Sequence, residues 1–254
     1  MIAFGTYRLF GEKGEQILKY AIEVGYRIID TAESYQNEDM VGRVLKMCDR
    51  KKIFLITKVS PNKLMYKDLI HAAIESVKKL DTYIDLYLIH IPNPVVPLGH
   101  TIQAMKKLQE KSIIRYYGVS NFDYMQTLEA INYGIYAHQH EYSLVYRWFE
   151  DVLALCKLKK VKFFAYRPLS YGDVFMEPFK SYIEKVAKKH NRTIAQISLK
   201  WIQQKGAIPI IGSQNPDHIK EDFDLNFEIP EEDMEYLDEL FKELVVKKDQ
   251  NKNL

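Results

Sequence analysis

Residues 53–90 read IFLITKVSPNKLMYKDLIHAAIESVKKLDTYIDLYLIH, and their pattern decides the architecture. IFLITK is a short, unbroken apolar run, which is how a strand covered on both faces looks. YKDLIHAAIESVKKL then sets Leu69, Ile70, Ala73, Ile74, Val77 and Leu80 along one helical stripe. IDLYLIH is a second covered strand. Strand, helix and strand in this order are the repeating unit of a parallel sheet.

The same alternation runs outward to both ends. Upstream, IAFGTY and YRIID read as strands, separated by the helix EKGEQILKYAIEVG, with Ile17, Leu18, Ala21 and Ile22 on one face; NEDMVGRVLKMC is the next helix. Downstream, the strands IIRYYGVS, IYAHQHE, VKFFAYRPL and AIPIIG alternate with TIQAMKKLQEK, FDYMQTLEAIN, WFEDVLALCKLK and NPDHIKEDFDL. Two helices, EPFKSYIEKVAKKHN and TIAQISLKWIQQKG, meet near Asn191 and Arg192. Eight strand–helix units within 254 residues predict a (β/α)8 TIM barrel in one α/β domain, with EEDMEYLDELFKEL as an extra C-terminal capping helix. The Lys-rich end, from about residue 245, reads as a frayed tail. An open doubly wound sheet would carry a Gly-rich turn after its first strand. Here that turn is FGEKGE, without GxGxxG.

Bulk composition removes several function classes. The formal net charge is +2, with no basic patch to drive phosphate-backbone binding, so nucleic acid is not an expected partner. No apolar run is long enough to span a bilayer, and MIAFGTYRLFGEKGE lacks the pattern of a signal peptide. The two cysteines, Cys48 and Cys156, have no metal-ligand spacing, so no metal is expected and a reducing cytoplasm is the expected compartment.

Chemistry concentrates where apolar runs stop. Asp30 ends YRIID, Lys58 ends IFLITK, His90 ends IDLYLIH, and Tyr35 follows Asp30 by one short loop. Barrel enzymes carry their active sites at the C-terminal ends of the strands, so one rim should hold all four. Singly, each has a plainer role: Asp30 as a turn or cap residue, Lys58 snorkelling from the mouth, His90 in the core, Tyr35 on the rim. Together they form a proton donor. An ammonium about 3.5 Å from a phenol, at an effective dielectric near 20, attracts the phenolate by roughly 4–5 kcal/mol. That is enough to bring the phenol from about 10 toward about 7. Asp30 would keep Lys58 charged against burial, and His90 would orient a carbonyl oxygen. Carbonyl reduction needs this arrangement, with a hydride reaching carbon as a proton reaches oxygen. No paired carboxylates stand at strand ends, which speaks against a barrel hydrolase.

These stretches resemble a known family. GYRIIDTAESYQNEDMVGRVL is similar to the first signature of the aldo-keto reductases nearly residue for residue. LITKV, DLYLIH, GVSNF, HQHEY and AYRPL resemble its later landmarks in the right order, from about Gly5 to the capping helix. The resemblance implies NAD(P)H-dependent reduction of aldehydes or ketones, with Tyr35 as general acid supported by Lys58 and Asp30, and His90 on the carbonyl. It implies that Ser120, Asn121 and Gln139 hold the nicotinamide carboxamide and that Tyr166 stacks on the ring. Gly5 and Thr6 fall beside the cofactor, as do Arg167 and Leu169 around AYRPL. Tyr7, Ile91 and Asn93 fall beside a small-molecule carbonyl substrate, in a pocket kept open by short loops. For Ser120 and Asn121, a helix cap is the plainer role.

At the adenosine end Ser213 and Glu221 match the family. Gly212 stands where Lys is common, His218 where Arg is common, and Asp222 where Asn is common. Lys and Arg there would grip a 2′-phosphate. NADP(H) is the cofactor expected from the family, with NAD(H) left open by these changes. A monomer is the expected state. The same barrel and cofactor also suit a non-catalytic regulatory or redox-sensing subunit, although the intact Asp30, Tyr35, Lys58 and His90 argue against that reading.

Overall fold

A computed structural model describes residues 1–242; the predicted tail and the end of the predicted capping helix lie outside the described residues. Eight parallel strands close into a barrel in sequence order. They are β1 (Ala3–Gly5), β2 (Ile28–Asp30), β3 (Phe54–Val59), β4 (Ile84–Ile89), β5 (Ile114–Ser120), β6 (Ala137–Glu141), β7 (Lys162–Tyr166) and β8 (Ile208–Ile211), with β8 pairing back onto β1. The helices around them are α1 (Gly11–Val24), α2 (Glu38–Leu45), α3 (Tyr66–Leu80), α4 (Leu98–Glu110), α5 (Tyr124–Asn132), α6 (Glu150–Leu158), α7 (Phe179–Lys189), α8 (Ile194–Gln204), α9 (Pro216–Phe223) and α10 (Glu231–Phe241).

Side chains alternate across a strand, and this explains how a barrel of apolar strands acquires a polar mouth. Ala3, Ile56, Leu86, Leu88, Ala137, Phe164, Ile208 and Ile210 fill the interior. Following the same alternation along the strands leads from Ile28 to Asp30, from Ile56 to Lys58, from Leu88 to His90, from Ala137 to Gln139 and from Phe164 to Tyr166. Each inward row therefore begins apolar and finishes in a functional group at the C-terminal end. Gly118 belongs to such a row. A Cβ there would stand 2.2 Å from the Ala137 carbonyl oxygen, so only glycine lets β5 and β6 close beside Leu88.

The opposite faces of the strands meet the helices. The α3 stripe buries Leu69, Ala73 and Leu80 as expected, but Ile74 is exposed, and Ala72 and Ser76 take the inner positions. Helical spacing is the reason: 69, 72, 73, 76 and 80 follow i, i+3, i+4, i+7 and i+11 along one face, which leaves Ile74 outside it. Ser76, on that face, donates at 3.2 Å to Glu38, a buried acid on α2 that also accepts from Thr57 Oγ1 at 2.7 Å. The two helices predicted to meet near Asn191 do so, and Thr193 with Gln196 forms a capping box that restarts the chain as α8. In α10, Met234, Leu237 and Leu240 pack in one cluster with Trp201 and Ile202 of α8, and Trp201 Nε1 donates to Asp238 at 2.9 Å.

Candidate active site

The one-turn helix Glu33–Tyr35, directly after β2, is fixed residue by residue. Glu33 accepts from the Ser60 backbone N–H at 3.2 Å and pairs with Lys63. Ser34 Oγ lies 3.3 Å from His90 Nδ1. Tyr35 packs against Tyr7, with ring centroids 5.1 Å apart, and against the edge of His90 at 6.0 Å. The Lys58 ammonium stands 5.0 Å from the centre of the Tyr35 ring.

Lys58 is fully buried and held by three contacts of 2.8 Å, to both Asp30 carboxylate oxygens and to the Thr31 carbonyl. Asp30 also accepts from Gln139 Nε2 at 2.8 Å. Burial works against the charge on Lys58, but Asp30 and Tyr35 outweigh it, and the ammonium's pKa is raised. The site thus keeps a fixed cation at its floor, as the sequence suggested.

Tyr35 departs from the expectation. Its pKa is raised, not lowered: burial is the largest influence and raises it, Lys58 lowers it, and Asp30 raises it again. Lys58 does not act as a lone charge. Asp30, bonded directly to that charge, cancels much of its field, and burial then decides the direction. Tyr35 therefore rests in its protonated form. His90 moves down to about 4 through burial and the Lys58 charge, so its imidazole is neutral at neutral pH.

Above these groups opens a cleft of about 790 Å³. Of the residues singled out from sequence, Gly5, Tyr7, Asp30, Tyr35, His90, Ile91, Ser120, Asn121, Gln139, Tyr166, Arg167 and Leu169 line it. Asn121, with φ 62°, donates to the His90 carbonyl at 2.9 Å and to Ser120 Oγ at 3.1 Å, and accepts from the Tyr166 hydroxyl at 2.7 Å. Ser120 and Asn121 do not cap α5, because Asp123 and Gln126 form that capping box. The plainer role is thereby removed. Arg167 is paired with Glu141 at 2.8 Å and lies over Tyr171.

Other expected site residues stand away from the cleft. Thr6 is fully buried and donates to the Asp30 carbonyl at 3.1 Å, so it braces β1 against β2. Asn93 donates to the Pro61 carbonyl at 2.9 Å and faces a neighbouring cavity between α4 and α5. At the start of α9, Ser213 Oγ accepts from the Asn215 backbone N–H at 3.0 Å, and Glu221 accepts from Thr193 Oγ1 at 2.8 Å, which ties α9 to α8. His218 is exposed. Asp222 is buried, and burial, with help from Glu221, pushes its pKa up to about 7.

The cleft also holds residues that sequence reasoning missed, among them Arg8, Ser34, Tyr171 and Phe175, and it is lined as well by Gly212, which stands where Lys is common. A Cβ at Gly212 would sit 2.7 Å from the Gly5 carbonyl oxygen, so a longer side chain there needs a shifted backbone. Tyr171 sits in a turn after AYRPL where Arg167, Ser170, Tyr171 and Gly172 all have positive φ, a backbone shape the sequence did not announce. Ser34 carried no signal beyond its place beside Tyr35. A flat aromatic wall at Tyr166, amide and hydroxyl groups from Ser120, Asn121 and Gln139, and a side-chain-free edge at Gly5 and Gly212 suit a planar ring bearing a carboxamide.

Known proteins share this sequence pattern and this fold. The sequence model of the aldo/keto reductase family matches residues 1–242. An aldo-keto reductase of Mycobacterium sp. (strain KMS) is 32% identical over 92% of this chain and 86% of its own length. A glyoxal reductase of Bacillus subtilis is 32% identical over 92% and 85%. The crystal structure of a thermostable aldo-keto reductase with the inhibitor epalrestat superposes with TM-score 0.91 at 36% identity, covering 94% of each chain. A Bombyx mori aldo-keto reductase in complex with NADP gives TM-score 0.85 at 28% identity over 94% and 88%.

Proposed function

The chain belongs to the aldo/keto reductase family, and from that premise we propose that it reduces aldehydes or ketones to alcohols with NADP(H), Tyr35 giving the proton. One observation carries the reading: Asp30, Tyr35 and His90 line one cleft at the mouth of a closed barrel, with Lys58 buried beneath them on Asp30. The whole constellation lies within one barrel domain, so a monomer suffices, and the two free cysteines fit a reducing compartment such as the cytoplasm.

Ser120, Asn121 and Gln139 are the groups for the carboxamide, and Tyr166 is the ring's neighbour, with Gly5, Arg167 and Leu169 along the same edge. Gln139 Nε2 is engaged on Asp30, which leaves its carbonyl oxygen to accept from an amide. Bound there, the reduced nicotinamide supplies a hydride to the carbonyl carbon. His90 donates to the carbonyl oxygen and holds its lone pair toward Tyr35. As negative charge gathers on that oxygen, the Tyr35 O–H bond breaks and the new O–H bond completes the alcohol. The phenolate left behind faces the Lys58 ammonium, which stabilises it. At the adenosine end, Gly212 and His218 stand where the family commonly has Lys and Arg, and Ser213 already accepts from the Asn215 N–H, so a 2′-phosphate would be held without that fixed cationic grip.

The rim is largely aromatic and apolar. Tyr7, Ile91, Tyr171 and Phe175 are all exposed. Such walls bury a ring or alkyl body while the polar floor takes the carbonyl, so uncharged aromatic aldehydes are the favoured substrates. The test is loss of nicotinamide absorbance with NADPH and an aromatic aldehyde. Tyr35→Phe should lower kcat by about 10²–10⁴-fold while NADPH still quenches protein fluorescence. Wild-type protein that binds NADPH without turning over any aldehyde would refute the proposal and favour a non-catalytic subunit.

A further inference from the structure

The Ser34 hydroxyl has a place that the reaction above leaves unused. His90 is anchored through its main chain. Its N–H donates to the Val59 carbonyl at 3.1 Å, and its carbonyl accepts from Asn121 at 2.9 Å. Those bonds fix where the ring starts but not which way it faces or which nitrogen carries the proton. A neutral imidazole has a single N–H, on Nδ1 or on Nε2, and the group bonded to one nitrogen decides the other. Among the described residues, the side chain within hydrogen-bond distance of the His90 ring is Ser34, at 3.3 Å from Nδ1. Ser34 Oγ has no other hydrogen-bond partner among the described residues, so its proton is free to be given.

We infer that Ser34 is a positioning residue: its hydroxyl donates to His90 Nδ1 and thereby holds the proton on Nε2, the nitrogen left to meet a carbonyl oxygen. The inference rests on the reductase reading above. The opposite arrangement, with Nδ1–H donating to Ser34, would turn a bare Nε2 lone pair toward the lone pairs of the carbonyl. That contact repels and polarises nothing. The serine is itself held steady, because its neighbours Glu33 and Tyr35 are pinned to Ser60, Lys63 and Tyr7. One turn of helix thus delivers two tools to the same oxygen: the proton donor Tyr35, and the hydroxyl that sets the ring beside it.

The experiment pairs ¹⁵N spectra of the His90 ring, assigned through His90→Gln, with steady-state kinetics of wild type, Ser34→Ala and Ser34→Thr. Ser34 is exposed, so neither substitution threatens the core. In Ser34→Ala the Nε2–H form should lose population, kcat should fall about 2- to 10-fold, and NADPH affinity should stay unchanged. Ser34→Thr should restore both the spectrum and the rate. An unchanged ¹⁵N pattern in Ser34→Ala, or an unchanged kcat, overturns the inference, and so does a threonine variant that behaves like alanine. A wild type without turnover would instead defeat the reductase reading, and the spectra alone would then decide what Ser34 does.

Discussion

Acid should unfold this barrel through two imidazoles that take no part in catalysis. His138 and His140 lie on β6, fully buried or nearly so, with ring centroids 5.7 Å apart. Neither nitrogen of His138 makes a well-aligned hydrogen bond among the described residues. Burial, then the neighbouring His140, drives His138 down to about 3, offset only in part by the Phe122 backbone. Burial drives His140 down to about 4. In the unfolded chain both titrate near 6.5. The unfolded state therefore binds more protons below that value, and stability falls as pH drops from about 6.5 toward about 3–4, where the loss levels off. At pH 5 each histidine costs about 2 kcal/mol, or roughly 4 kcal/mol for the pair. That is a large share of the ~5–15 kcal/mol that holds a typical domain together. Urea unfolding of wild type and of His138→Phe/His140→Phe at pH 8 and pH 5 checks this. Wild type should lose about 4 kcal/mol more than the double variant between the two pH values. His90, Glu38 and Asp222 also titrate abnormally, but they are common to both proteins and cancel. Equal losses in the two proteins would refute the claim that burial holds these rings neutral.

Alcohol oxidation, which needs the Tyr35 phenolate, should accelerate with pH to beyond about 10, since burial raises the phenol above its ordinary value; a plateau near pH 7 would show that Lys58 wins after all. Aldehyde reduction should lack a His90-dependent limb from pH 5 to 9, because His90 gains its proton only near about 4, and an inflection near pH 6.5 that vanishes in His90→Gln would contradict this. Lys58→Met strands the Asp30 carboxylate in the barrel and should cost about 3–5 kcal/mol, whereas Lys58→Met/Asp30→Leu should recover much of that in thermal unfolding and remain inactive. Gly118→Ala forces a methyl against the Ala137 carbonyl and should destabilise by about 1–3 kcal/mol in the same assay.

The fold was legible because strands covered on both faces cannot hide their composition. Runs such as IDLYLIH announce themselves, and their alternation with amphipathic helices leaves few architectures. The floor of the site was legible for a related reason: polar side chains at the ends of apolar rows stand out. Less could be read where a side chain spends its hydrogen bonds. GVSNF alone does not say that Asp123, the next residue, is the helix cap, nor that Asn121 is already tied to His90 and Tyr166. HQHEY does not say that Gln139 reaches Asp30, 109 positions away. Those bonds depend on strands brought together by closure of the barrel, and such neighbours have no sequence spacing. The adenosine end was least legible because Glu221 serves Thr193, a helix-to-helix tie that local pattern does not encode.

The raised pKa of Tyr35 changes how the Lys58–Asp30 pair is understood. An isolated ammonium would pull the phenol down and leave part of it ionised at rest, where it can donate nothing. By holding Lys58 on both carboxylate oxygens, Asp30 mutes that pull in the resting site. The phenol stays loaded. Negative charge then appears first on the substrate oxygen and afterwards on Tyr35, in a cleft whose floor already contains a fixed cation that need not move. The ion pair therefore contributes little to the ground state and more as the proton leaves, and only interactions that strengthen along that path accelerate the step. It follows that Asp30→Asn should lower the pH at which alcohol oxidation rises while weakening the retention of charge on Lys58. A variant in which that pH rises, or does not change, would show that Asp30 only anchors the lysine in place.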